Sequence, residues 1–235
     1  MSQLKDYAGS RLGVFVSGTD KQRHAGFIFN DEAGVEVLHL AWHYRLMRGT
    51  PEDYIANEQL GPFAAYICDD FLDSQIDEVL SFLDTIWQRN RNLIPYGISS
   101  DGIESFFETD GSVANLGQGA GLTCASFLMS VFFKLGYKIL DPDAWQHRET
   151  DSDWHEWVIG NLEQSLRFYP QAAAHVSAQR QHIGKAYRFR PEEVVGCAAV
   201  FEEEPASFDQ AVGVGELVLQ DMQNKGVLRS SSPSA

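Results

Sequence analysis

The sequence predicts an α+β fold in which antiparallel strands come first and a cysteine-bearing helix with further helices follows. Two observations carry that expectation. In the N-terminal part, short β-branched and aromatic runs are bounded by Gly, Asp and Asn, the mark of strands and their turns. From Thr123 onward, apolar residues recur at helical spacing instead. Size supplies a third constraint: 235 residues, 44% hydrophobic and 22% charged, are ordinary globular composition with enough chain for a substantial core. A single domain over 1–235 is expected, with its core in about 11–140, a helical elaboration over about 141–228 and a disordered tail at 229–235.

Taken in order, Arg11 to Ser17, Ala25 to Asn30, Val35 to Ala41 and Pro62 to Cys68 read as strands. Asn30-Asp31-Glu32-Ala33-Gly34 between the second and third makes them a hairpin. Asp73-Ser74 offers a cap to a helix running to about Asn90, whose Ile76, Val79, Leu80, Leu83 and Ile86 share one face. Leu93 to Ile98 is a short strand candidate. Ser99 to Gly121, rich in Gly, Ser and Asp, is a loop long enough to be a functional or disordered segment, a lid among the options. Thr123 caps the next helix, which carries Phe127, Leu128, Val131, Phe132 and Leu135 and stops at Gly136. Further helices are expected over Asp153 to Phe168 and Gln171 to Gln181, and from near Pro191 and Ser207.

The charge is strongly one-sided. Thirty-three acidic against 18 basic side chains leave −15 at neutral pH, which repels phosphate backbones and anionic lipid, so neither nucleic acid nor membrane is an expected partner. The apolar run near the N-terminus, Leu12 to Val16, is too short for a leader or a membrane span, so a cytoplasmic location is expected. The three cysteines, Cys68, Cys124 and Cys197, are odd in number and widely spaced, which argues against a disulfide framework and a zinc site.

Cys124 stands out because it opens a helix, where the macrodipole favours thiolate over thiol. The glycines of Gly117-Gln118-Gly119-Ala120-Gly121 would let a substrate backbone approach it. Cys68 and Cys197 sit in apolar runs and read as core. A thiol nucleophile needs a base, and the base needs an orienting partner on its other ring nitrogen. His24 opens one strand of the hairpin and His39 lies near the end of the other, so antiparallel pairing can bring the two imidazoles together. His43, His147, His155, His175 and His182 sit in polar or helical surroundings and read as ordinary histidines. The acidic, Trp-rich start Asp151 to Trp157 lacks metal-ligand spacing and reads as a capped helix start, so no metal and no cofactor is expected.

RHAGFIFNDEAGVEVLHL resembles the His-x-Gly strand, hairpin and Val-x-His-Leu strand of circularly permuted NlpC-type papain-like proteins, the branch that includes lecithin:retinol acyltransferase relatives. GLTCASFLMSVFFKLGY is similar to the nucleophile helix of the same superfamily, and the order His24, His39, Cys124 is the permuted one. The resemblance covers about residues 11–136. It implies a papain-like sheet packed on the cysteine helix, with Cys124 as nucleophile, His24 as general base and later acid, and His39 orienting His24. For the oxyanion, the backbone N–H of Cys124 is one natural donor. Gln118 resembles the oxyanion-hole glutamine of papain-like proteases, and Tyr96 in IPYG the tyrosine that precedes the cysteine in NlpC-type enzymes. Peptidases, amidases and acyltransferases share these residues, so the resemblance leaves all three open, with a peptide or a small amide or ester as substrate. Two further readings stand beside it: a catalytically inactive module on the same fold that recruits a protein partner through its C-terminal helices, and a cysteine redox sensor, for which no resolving cysteine lies nearby in sequence.

Overall fold

The apolar runs become strands where β-branched and aromatic residues alternate. In the computed structural model, which describes residues 3–31, 34–56 and 61–231, β1 (Leu12–Gly18), β2 (Arg23–Asp31), β3 (Gly34–Trp42), β4 (Arg45–Gly49) and β5 (Phe63–Ile67) form one sheet in the order β4-β3-β2-β1-β5. Every pairing in it is antiparallel. β2 and β3 pair as the expected hairpin, although Glu32 and Ala33 of its turn lie outside the described residues. β4 is an addition to the expected set. Its sequence RLMRG is short and carries two arginines, and it exists because the turn at Tyr44, with φ of 57°, folds it back onto β3.

Alternation divides the sheet into two faces. Leu12, Val14, Val16, Ala25, Phe27, Phe29, Leu38, Leu40 and Tyr66 join the main core, while Phe15, Ile28 and Val37 form a smaller cluster on the other face with Tyr54 of α1 (Pro51–Ala56). The main face is covered by α2 (Asp73–Asn90), α3 (Cys124–Lys134) and α6 (Pro191–Ala199). α3 is buried from Cys124 to Phe133, as an all-round apolar helix must be. Its start is fixed by Thr123 and Ser126: the Ser126 N–H donates to Thr123 Oγ1 at 3.1 Å, and the Thr123 N–H donates to Ser126 Oγ at 2.8 Å. The α2 cap lies one residue earlier than expected, because Gln75 Oε1 accepts the N–H of Leu72 at 2.8 Å, leaving Asp73 and Ser74 inside the first turn.

The C-terminal helices are less peripheral than the sequence implies. α4 (Asp151–Ser165) and α5 (Ala173–Arg180) pack on each other, while α6 packs on β1, β2, β5 and α3, and α7 (Phe208–Asn224) packs on α6 and β5. The core cluster therefore runs on through Val194, Val195, Val218 and Met222, and the expected boundary near residue 140 does not divide it. Glu192 and Glu193 are buried with α6, which requires partners. Arg23 Nε and Nη2 each donate to Glu192 at 2.7 Å, and Arg148 Nη2 donates to Glu193 at 2.6 Å.

Three other segments depart from expectation. Leu93 to Ile98 makes a single bridge, Tyr96 with Leu122, instead of a strand. The long 99–121 segment is packed down: Ile103, Phe106 and Phe107 are buried, and the Asn90 side chain donates to the Gly111 carbonyl at 2.7 Å. Arg229, expected in the disordered tail, instead donates its N–H to the Gly18 carbonyl at 3.0 Å, while residues 232–235 lie outside the described residues.

Glycines on the two packed helices α6 and α7 test the fit between them. A Cβ at Gly196 would overlap the stiff Val214 side chain, whereas one at the exposed Gly213 would meet nothing within 4 Å. Gly196→Ala should destabilise by about 1–3 kcal/mol and Gly213→Ala should stabilise by about 0.5–1 kcal/mol. Urea unfolding of the two variants reads both signs, and equal effects would mean that α6 and α7 are not packed as described.

Candidate active site

The β2–β3 ladder ends at the pair Phe27–Leu38, although the strands stay close enough that a Cβ on Gly26 would lie 2.7 Å from His39 Cβ. The Asn30 N–H donates to the Arg11 carbonyl on the β1 side, so by alternation the N–H groups of residues 29, 27 and 25 point toward β3. At Ala25 no ladder partner remains, and its backbone amide lies near enough to the sulfur of Cys124 to favour the thiolate. The backbone amides of Cys124 and Ala125 and the hydroxyl of Tyr96 act on the same sulfur in the same direction.

One residue before Ala25, His24 Nε2 lies 2.9 Å from His39 Nδ1, with the two rings edge to face at 85°. The expected pairing of the imidazoles is present. Their face of the sheet is that of Gly26, Phe15 and Tyr54, and His39 packs edge-on against Tyr54 with centroids 5.1 Å apart. Tyr54 Oη in turn lies 2.5 Å from Ser17 Oγ. Either of two tautomer pairs satisfies the His24–His39 bond. When His24 donates from Nε2, its Nδ1 is left with a free lone pair, the state a base requires.

Burial governs the protonation of this group. Four donors favour thiolate at Cys124, yet desolvation outweighs them and pushes the thiol up to about 11. The helix terminus alone does not produce the expected resting thiolate. Burial also holds His24 down at about 4 and His39 well below its ordinary value, with the charges of His24 and Arg45 acting on His39 in the same direction. At rest both the thiol and the imidazole pair are neutral.

Tyr96 is held by residues that carry no local signal of such a role. The Tyr96 N–H donates to His43 Nδ1 at 3.1 Å, and His175 Nε2 donates to the Tyr96 carbonyl at 2.8 Å. Gln179, fully buried, braces the neighbouring chain by accepting the Ile98 N–H and donating to the Gly119 carbonyl. His43, His175 and Gln179 lie far from Tyr96 in sequence, and only the fold reveals their shared role. Of the expected glycines, Gly119 packs on Ala178 and Gly121 on Gly97, so they serve close chain packing and do not open a path to the thiol. Gln118 is exposed in the turn between Gly117 and Gly119 and stands apart from this group.

A cleft of about 610 Å³ opens beside the site, with His24, Tyr96 and Trp42 in its wall. Trp42 stacks on Tyr96 with centroids 4.5 Å apart and donates from Nε1 to Ser165 Oγ at 3.2 Å. Cys124 is 4% exposed and lies behind that wall. Cys68 and Cys197 are free and buried, and burial raises both thiols, Cys197 to about 12. Among the described residues there is no group of three or more His, Cys, Asp or Glu placed to hold a metal ion, and no helix long and apolar enough to cross a membrane. No protein-family model matches the chain, and neither the curated proteins nor the solved structures contain a match.

The buried histidines make the fold sensitive to acid. His24, His43 and His155 are each held at about 4 and His175 is lowered, all by burial. The unfolded chain therefore binds protons below about pH 6.5 that the folded chain refuses until far lower pH. Their contribution is fully present above that value and is lost as pH falls toward 4. Urea midpoints should drop between about pH 7.5 and pH 5, and a flat profile would contradict the burial of these rings.

Proposed function

We propose that this chain is a cysteine-dependent acyl-transfer enzyme of circularly permuted, NlpC-type papain-like architecture, cleaving an amide, isopeptide or ester through a thioester on Cys124. The observation that carries the reading is the convergence of the Cys124 sulfur, at the start of α3, with the strand that bears His24, itself bonded to His39 at 2.9 Å. The resemblance assigns nucleophile, base and orienting group to Cys124, His24 and His39, in the permuted order.

Because the resting pair is neutral, the thiol gives up its proton as it attacks. The S–H proton passes to His24 while the S–C bond forms, and His39 stabilises the resulting imidazolium. The carbonyl oxygen becomes an oxyanion, for which the Cys124 N–H and the Tyr96 hydroxyl are the candidate donors. Collapse expels the amine or alcohol, which leaves with the proton from His24. Water or an amine, deprotonated by His24, then attacks the thioester; its acyl carbon passes to the new nucleophile and the sulfur recovers its proton. A hydrolase results if water resolves the thioester, and an acyltransferase if an amine or alcohol does.

The burial of Cys124 behind the cleft wall favours a second reading, an inactive module on the same architecture that binds a protein partner through its helices. Incubation with 4-nitrophenyl acetate separates the two. Acyl transfer predicts a burst of nitrophenolate and one acetyl group on Cys124 by peptide mass, absent in Cys124→Ala and slowed about 10²–10⁴-fold in His24→Ala. Identical behaviour of wild type and Cys124→Ala would leave the binding module.

A further inference from the structure

The cleft carries the opposite charge to the chain. The protein has 33 acidic against 18 basic side chains, yet among the described residues the wall of the cleft includes four arginines, Arg23, Arg45, Arg167 and Arg229, and no aspartate or glutamate. Arg23 is committed to Glu192, through two bonds of 2.7 Å. Arg45 and Arg167 are not neutralised in this way. Among the described residues, Arg45 reaches only the sulfur of Met47, at 3.7 Å, and Arg167 lies over the Phe168 ring, 4.6 Å from its centroid. A cation in a partly enclosed cleft keeps some of the field that bulk water would screen, and guanidinium groups suit planar or tetrahedral oxyanions.

The rest of the wall specifies the ligand further. Trp157 is 45% and Phe168 68% exposed, large apolar surfaces left open to solvent on the same cleft. Trp42 and Tyr96 continue that surface toward His24. We propose that the cleft selects small amphiphilic substrates with an anionic group, a carboxylate or a phosphate, held by Arg45 and Arg167 while the apolar body lies over Trp157, Phe168 and Trp42. The inference rests on the acyl-transfer reading only for its orientation, which turns the carbonyl toward Tyr96 and His24.

Equilibrium binding to the full chain tests this without catalysis. Hexanoate, hexyl phosphate and the neutral hexanamide share an apolar tail and differ in headgroup, and Trp42 and Trp157 report occupancy by fluorescence, with calorimetry as the check. At low salt the anions should bind about tenfold tighter than hexanamide or better, the preference shrinking as salt rises. The ratio should fall toward unity in the Arg45→Gln/Arg167→Gln double variant and persist in Cys124→Ala. Comparison of hexanoate with hexyl phosphate tells the two headgroups apart. Equal affinity for charged and neutral probes, a preference unchanged in the double variant, or no binding of any probe within its solubility would each overturn the proposal. The neutral ester assay reads the chemistry separately: a protein that acetylates Cys124 but ignores headgroup charge refutes the cleft inference alone, and one that prefers anions but never acetylates refutes the chemistry alone.

Discussion

A single unpaired amide organises the centre of this molecule. Once the β2–β3 ladder stops at Phe27–Leu38, the N–H of Ala25 faces the gap with no carbonyl to receive it. A buried donor of that kind must find an acceptor or cost about 1–3 kcal/mol. The Cys124 sulfur at the start of α3 lies near that amide, and the capping box at Thr123 and Ser126 fixes where the sulfur lies. Because α3 is apolar on every side, it can dock only in the interior, with the sheet on one flank and α6 on another. The same parting of β2 from β3 lies beside His24 and His39, which keep their ladder partners Ser17 and Met47 on the outer sides and bond each other through their rings.

At α6, charge enters the fold already paired. The α6 glutamates enter the core with Arg23 and Arg148, and the Arg23 pair ties the residue beside His24 to a helix far along the chain. The thiol and the imidazoles at the centre have no such partners and stay neutral. A preformed ion pair would give a more reactive thiol at rest, at the cost of burying two charges in a crowded interior. In the proposed reaction, charge separation waits until a carbonyl is present to share it.

The sequence is legible where a local pattern coincides with its tertiary setting. Alternating β-branched residues revealed four strands, and Thr123 with Gly136 bounded α3 because caps are local chemistry. Leu93 to Ile98 misleads for a physical reason: Ile94, Tyr96 and Ile98 alternate as buried residues, but the neighbouring chain offers only Leu122 as a partner. The pairing of His24 with His39 could be anticipated from the hairpin, since register follows from the turn. The clamp of His43 and His175 on Tyr96 could not, because nothing local links a β3–β4 turn, an irregular segment and α5. The central place of α6 was hidden too, since its buried glutamates read as surface until their arginines are seen.

The three free thiols sit at three levels of the architecture: Cys68 just past β5, Cys124 where α3 begins, and Cys197 inside α6. All are buried and raised in pKa, so each can meet a reagent only when its own surroundings open. They amount to native timers for three different regions. Labelling rates resolved by position would show whether a sheet margin, the mouth of the central helix and the α6 layer open separately or as one cooperative unit, without adding a single probe to the chain.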